Sequence, residues 1–139
     1  MIQSQRIEPL NRRAVDSGDF VIYWMQASQR AQTNFALEFA IEQANTYRVG
    51  LFVFFALVDD FPQANLRHYH FMLQGLKETQ RHLLRRGIQL IVQNESPLTA
   101  LPVLARRAKL VVTDCGYLQI QKAWRRKLAS RIDCPLIQV

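Results

Sequence analysis

Five short apolar runs punctuate the chain: Phe20 to Met25 (FVIYWM), Leu51 to Leu57 (LFVFFAL), Ile88 to Val92 (IQLIV), Leu110 to Thr113 (LVVT) and Leu136 to Val139 (LIQV). They are rich in β-branched and aromatic residues, and between each pair lies a stretch with helical rather than alternating periodicity. Continuous apolar runs of this length describe strands covered on both faces. Strand and helix repeated four times, with a closing strand, therefore predict a single α/β domain: a doubly wound, Rossmann-like, five-stranded parallel sheet. Residues 1–19 read as a polar N-terminal arm and residues 20–139 as the domain. The chain of 139 residues stops inside or just after a strand, and on that ground reads as a fragment.

The helical stretches carry their own punctuation. Over residues 33–47, Ala36, Leu37, Ala40, Ile41, Ala44 and Tyr47 fall on one stripe at about 100° per residue. A second helix is expected from about Arg67 to Arg86, with Tyr69, Met72, Leu73, Leu76, Leu83 and Leu84 inward and Gly87 as its left-handed cap. Ser96-Pro97 reads as an N-cap and first helical residue. Pro102 fits poorly inside that helix, which should kink there or begin a turn later. The fourth helix, from Leu118 to about Arg131, should turn Ile120, Ala123, Trp124 and Leu128 inward.

Composition narrows the class. A content of 49% hydrophobic and 21% charged residues is that of an ordinary globular domain, and no apolar run approaches the length of about 20 residues that a membrane helix needs. The N-terminal stretch MIQSQRIEPLNRRAV lacks the apolar core of a signal peptide, so a cytoplasmic address is expected. Cys115 and Cys134 show no metal-ligand spacing and read as a pair of reduced, buried thiols. The net charge of +7 is spread in arginine pairs, Arg12-Arg13, Arg85-Arg86, Arg106-Arg107 and Arg125-Arg126. It permits an acidic partner without demanding one.

Ligands of such sheets bind beyond the carboxyl ends of the strands, where strand order reverses. Four loops qualify: 25–32, 58–66, 93–96 and 114–117. Neither a GxGxxG nor a GxxxxGK[ST] pattern occurs, so nothing lets a backbone close on a pyrophosphate. Side chains must bind instead. In the first loop, Trp24, Met25 and Gln26 offer a flat ring, a polarisable thioether and an amide, although Trp24 as strand core and Gln26 as a turn cap remain open. The adjacent carboxylates Asp59 and Asp60 could bind a metal or serve acid/base work, but neighbours in a loop point apart, and one of the two reads instead as a turn residue. His68 and His70 stand about 200° apart on a helix and cannot chelate one ion. Asp114, at a strand end beside Cys115 and Gly116, is either a polar ligand contact or the cap of the next helix. Phe35, Phe39 and Phe71 lie on the polar sides of their helices. They mark a surface covered either by another domain or chain or by neighbouring loops. No catalytic pair has a convincing local motif.

These segments together resemble a known family. YWMQASQR followed by NFALEFAIEQAN, LFVFFALVDDFPQANLRHYHFMLQGL and LVVTDCGYLQIQKAWR are similar to the N-terminal domain of class II DNA photolyases, from about Phe20 to Val139. The resemblance implies a light-dependent DNA-repair flavoprotein, a carbon–carbon lyase (deoxyribodipyrimidine photo-lyase). In it a larger helical domain holds FAD, and photoexcited reduced flavin splits cyclobutane pyrimidine dimers. It implies that an antenna chromophore, an 8-hydroxy-5-deazaflavin or a folate, sits in the α/β domain. Met25, Gln26, Arg30, Asp114 and Cys115 are then the expected lining residues, and Phe35, Phe39 and Phe71 the face toward the FAD domain. No catalytic residue and no metal ligand is expected here. This chain alone should not repair DNA, and should bind it weakly, with steep salt dependence and no preference for lesions. The competing reading is a chromophore-free, photolyase-like module that uses the phenylalanine surface to bind a partner or itself.

Overall fold

The computed structural model describes residues 1–59, 61 and 64–139; the reading of Asp60 as a turn residue, and Pro62 and Gln63 of the quoted motif, lie outside these. Five parallel strands form as expected: β2 (Phe20–Trp24), β3 (Gly50–Ala56), β4 (Gln89–Gln93), β5 (Ala108–Thr113) and β6 (Leu136–Gln138). The sixth was not foreseen. Glu8–Pro9 of the arm is β1, which pairs antiparallel with β6 and covers that edge. The order across the sheet is β1-β6-β5-β2-β3-β4. The chain thus winds outward from β2 through β3 to β4, then returns to the other side of β2 for β5 and β6. Strand order reverses between β2 and β5.

Alternation along β2 divides the core. Val21, Tyr23 and Met25 point to one face, where α1 (Phe35–Tyr47) and α2 (Leu66–Arg85) pack. Ile22 and Trp24 point to the other, against α3 (Pro97–Leu104) and α4 (Gln119–Ala129). Both layers are sealed, as strands without a polar face require.

Local chemistry sets the ends. Asn34 caps α1 by accepting from the Leu37 N–H at 3.1 Å, and Asn65 and His68 form a reciprocal capping box at the start of α2. Gly87 takes a left-handed φ of 74° after α2. Ser96 caps α3 and Pro97 opens it, so Pro102 does not delay its start. The helix is instead short and runs directly into a 3-10 turn at Ala105–Arg107.

Three expected faces change. Phe39 is 6% exposed and belongs to the α1/α2 core. The arm packs Ile2 and Ile7 onto that same cluster, so a side that looks polar in α1 is roofed by chain. Leu73 and Leu84 of α2 are exposed. The buried line of α4 is Gln121, Arg125 and Leu128, with Trp124 half-buried beside it. Cys134 is buried as expected, whereas Cys115 is only half-buried. No helix among the described residues is long and apolar enough to cross a membrane.

Candidate functional site

A cleft of about 950 Å³ opens above the carboxyl ends of β2 and β3, next to the point where strand order reverses. Trp24 and Met25, each 1% exposed, form its floor. One wall comes from the first half of α2, with His68, Tyr69 and Met72; the other comes from the start of α4, with Gln121 and Trp124. Phe61 reaches from the loop after β3 toward Trp124, their ring centroids 6.1 Å apart. Tyr69 fixes that loop: its hydroxyl donates to Val58 O at 2.6 Å and accepts from the Phe61 N–H at 3.0 Å. At Gly75 an added Cβ would meet nothing within 4 Å, so α2 leaves the space there open.

The loop after β2 is tied down from several directions. Asn34 Nδ2 donates to Ser28 O at 3.1 Å and Arg30 O at 3.0 Å, and to the Tyr23 hydroxyl at 3.1 Å. Thr79 of α2 donates to Gln29 O at 2.9 Å, and Arg86 to Ala31 O at 2.8 Å while pairing with both Glu38 oxygens. Burial pushes the Tyr23 phenol well above its ordinary pKa, and the nearby Asp114 charge adds to this.

Asp114 holds the remaining side. Its Oδ1 accepts from the Gln26 N–H at 2.8 Å, and its Oδ2 from Ala27 at 2.7 Å and Ser28 at 2.6 Å. Three converging backbone donors are the kind of nest that elsewhere receives a phosphate. Here the protein's own carboxylate fills it.

The expected lining residues therefore divide. Met25, Gln26, Arg30 and Cys115 lie on the cleft, together with Phe71 at its mouth. Asp114 does not. It is buried beneath the rim with both oxygens engaged by the β2 loop, and it does not cap α4 either. Phe35 stands away from the cleft, half-exposed, with the Arg6 guanidinium 4.6 Å above its ring. Helical periodicity presents Tyr69, Met72 and Trp124 only as inward faces and gives no sign of Gln121. The available signal was their place in the first turns after β3 and β5, which a doubly wound sheet aims at the crevice.

Gln26 has one group left over. It is 6% exposed; its Nε2 donates to Thr113 Oγ1 at 2.7 Å, and its Oε1 is buried without a partner. An unpaired buried acceptor just behind a wall that mixes aromatic and thioether groups with polar ones suits a flat ligand that offers an N–H or O–H at one edge. Among the described residues no three His, Cys, Asp or Glu side chains gather to hold a metal.

The family model described as DNA photolyase matches residues 21–139. Over its whole length the chain is 49% identical to the deoxyribodipyrimidine photo-lyase of Methanothermobacter thermautotrophicus, covering 32% of that protein. Over 89% of its length it is 30% identical to the deoxyribodipyrimidine photo-lyase of Potorous tridactylus, covering 24% of it. The chain thus spans a third or less of the length of these relatives. Its fold is also that of a universal stress protein from Lactobacillus plantarum, at a TM-score of 0.57 and 13% identity over 89% of this chain and 99% of the other.

Proposed function

Since the chain belongs to the DNA photolyase family, we propose that it is the α/β, antenna-bearing part of a light-dependent repair enzyme of the class II type. The observation that carries this reading is the cleft floored by Trp24 and Met25 and lined by Gln26, whose buried Oε1 has no partner. Its residues fit a flat heteroaromatic chromophore such as an 8-hydroxy-5-deazaflavin or a folate. The aromatic and thioether groups meet the ring faces, and Gln26 accepts from a ring-edge donor. A dinucleotide such as FAD fits poorly, because the N–H groups that would take its pyrophosphate are held by Asp114. FAD, the splitting of the pyrimidine dimer and lesion recognition are assigned to the helical domain that the resemblance implies.

When bound, the antenna supplies absorption and passes the excitation to the flavin. The chain's own work is to exclude water from the ring faces and fix the ring's orientation. Its tied loop does this without reorganisation, which favours a defined pose. Phe71 and Tyr117, 78% and 80% exposed at the mouth of the cleft, support docking of the flavin domain there.

Gel filtration of the chain with 8-hydroxy-5-deazaflavin, and separately with a reduced folate, tests the reading. One chromophore should co-elute with the monomer. Gly75→Leu, which places a side chain in open space beside the cleft, should weaken binding about tenfold or more. The same change should hold or raise the melting temperature, since leucine is the better helix former by about 0.8 kcal/mol. If neither chromophore co-elutes and the chain runs as a dimer that Phe71→Ser dissociates, the chromophore-free interaction module is the right reading instead.

A further inference from the structure

A second cleft, of about 500 Å³, lies between α4 and β6, and the antenna reading makes no use of it. Lys122, Arg125 and Arg126 line it together with Gln138, and no acidic side chain among the described residues does. Arg125 and Arg126 follow Lys122 by three and four residues along α4, so each lies beside it on the helix surface. Glu8, on the neighbouring β1, accepts from Gln138 Nε2 at 3.0 Å. Neither it nor any other carboxylate among the described residues forms an ion pair with the three.

Arg125 sets this cleft apart from an ordinary solvated basic face. It is 6% exposed. Its Nη2 donates to Gly116 O at 2.7 Å, while Nη1 is buried with no hydrogen-bond partner. A buried lysine or histidine escapes such a position by releasing its proton, but a guanidinium does not. A buried cation with an unmade hydrogen bond persists where a counter-ion completes it. We infer that this cleft binds a phosphate group, with Arg125 as its floor and Lys122 and Arg126, both exposed and long enough to fold inward, as its sides. Three cations with no acid among them match the charge of a phosphate dianion better than that of a single carboxylate. The guanidinium fork supplies paired donors, and Lys122 supplies a point charge.

The group could be free phosphate or part of a polynucleotide backbone, and the two are separated by titrating the same sample. The guanidinium resonances of Arg125 are followed by NMR in the isotopically labelled chain. Inorganic phosphate is added in one arm and a short undamaged duplex in the other, with chloride at matched ionic strength as the reference. Phosphate should shift the Arg125 signals and raise the melting temperature, and chloride should do neither. A duplex that shifts Arg125 at lower concentration than phosphate identifies the backbone as the source. A response to phosphate alone identifies a small molecule. Arg125→Met should weaken phosphate binding about tenfold or more. In phosphate-free buffer it should be at least as stable as the parent, since it removes an uncompensated charge. The paired change Lys122→Ala/Arg126→Ala, confined to exposed side chains, should weaken binding with the fold intact. The proposal is overturned if phosphate and chloride act alike, or if Arg125→Met destabilises the chain equally in both buffers, which would make Arg125 only a strut for Gly116.

Discussion

Replacing Asp114 by alanine would leave the N–H groups of Gln26, Ala27 and Ser28 aimed at a hole. Hydrogen bonds to a charged acceptor contribute about 1.5–3 kcal/mol each and do not add fully. Asp114→Ala should therefore lower stability by roughly 3–5 kcal/mol, measured by denaturant unfolding. If the nest survives, formate in the buffer should raise the melting temperature of Asp114→Ala more than that of the parent. Equal effects would mean that the loop collapses once its anchor is gone. The residue itself was legible in the sequence as a polar group at a strand end. Its role was not, because its partners are backbone donors 86 to 88 positions away, and a sequence displays no backbone donors. Met25, Gln26, Arg30 and Cys115 were easier to place on the cleft, since topology alone sends the turns after β2 and β5 to the crevice.

At the scale of elements, the five parallel strands and four helices were written in the periodicity, with ends off by a residue or two. The two-residue β1 has no periodicity to read. It exists because β6 offers an edge and the arm passes beside it. Phe39 was misassigned for the same reason, as a helix wheel shows one element's pattern and not what the arm lays over it. Glycines show how tightly these elements meet. A Cβ on Gly18 would run into the backbone of Ala108 and Lys109, and one on Gly116 into the side chain of Gln121. A backbone cannot step aside, whereas a glutamine can. Gly18→Ala should cost on the order of 3 kcal/mol and Gly116→Ala on the order of 1 kcal/mol, read from unfolding midpoints. The reverse order would show that Gln121, whose Oε1 accepts from the Leu118 N–H at 3.3 Å, is the more rigid obstacle.

Across the whole molecule, both layers of the core hold an acid in its neutral form. Tyr23 lies in the α1/α2 layer with its phenol pushed well above 10.0 by burial and then by the Asp114 charge. Cys134 lies in the α3/α4 layer, its thiol raised by burial from 9.0 to about 11. Raised folded-state values mean that the unfolded chain gives up these protons first. Stability is then fully present below about pH 9 and falls as the pH climbs through 9 to 11 and beyond. Melting temperatures across that range should show the decline, and Cys134→Ala should flatten its first part while leaving the part due to Tyr23. Cys115 and Tyr117 line both clefts, so one short stretch of chain is the partition between two rooms. If a ligand on one side shifts that partition, the other side feels it, and thermodynamics makes the traffic equal in both directions. Were both proposed ligands to bind, whatever factor the anion applied to the grip on the light-absorber, the light-absorber would apply to the grip on the anion.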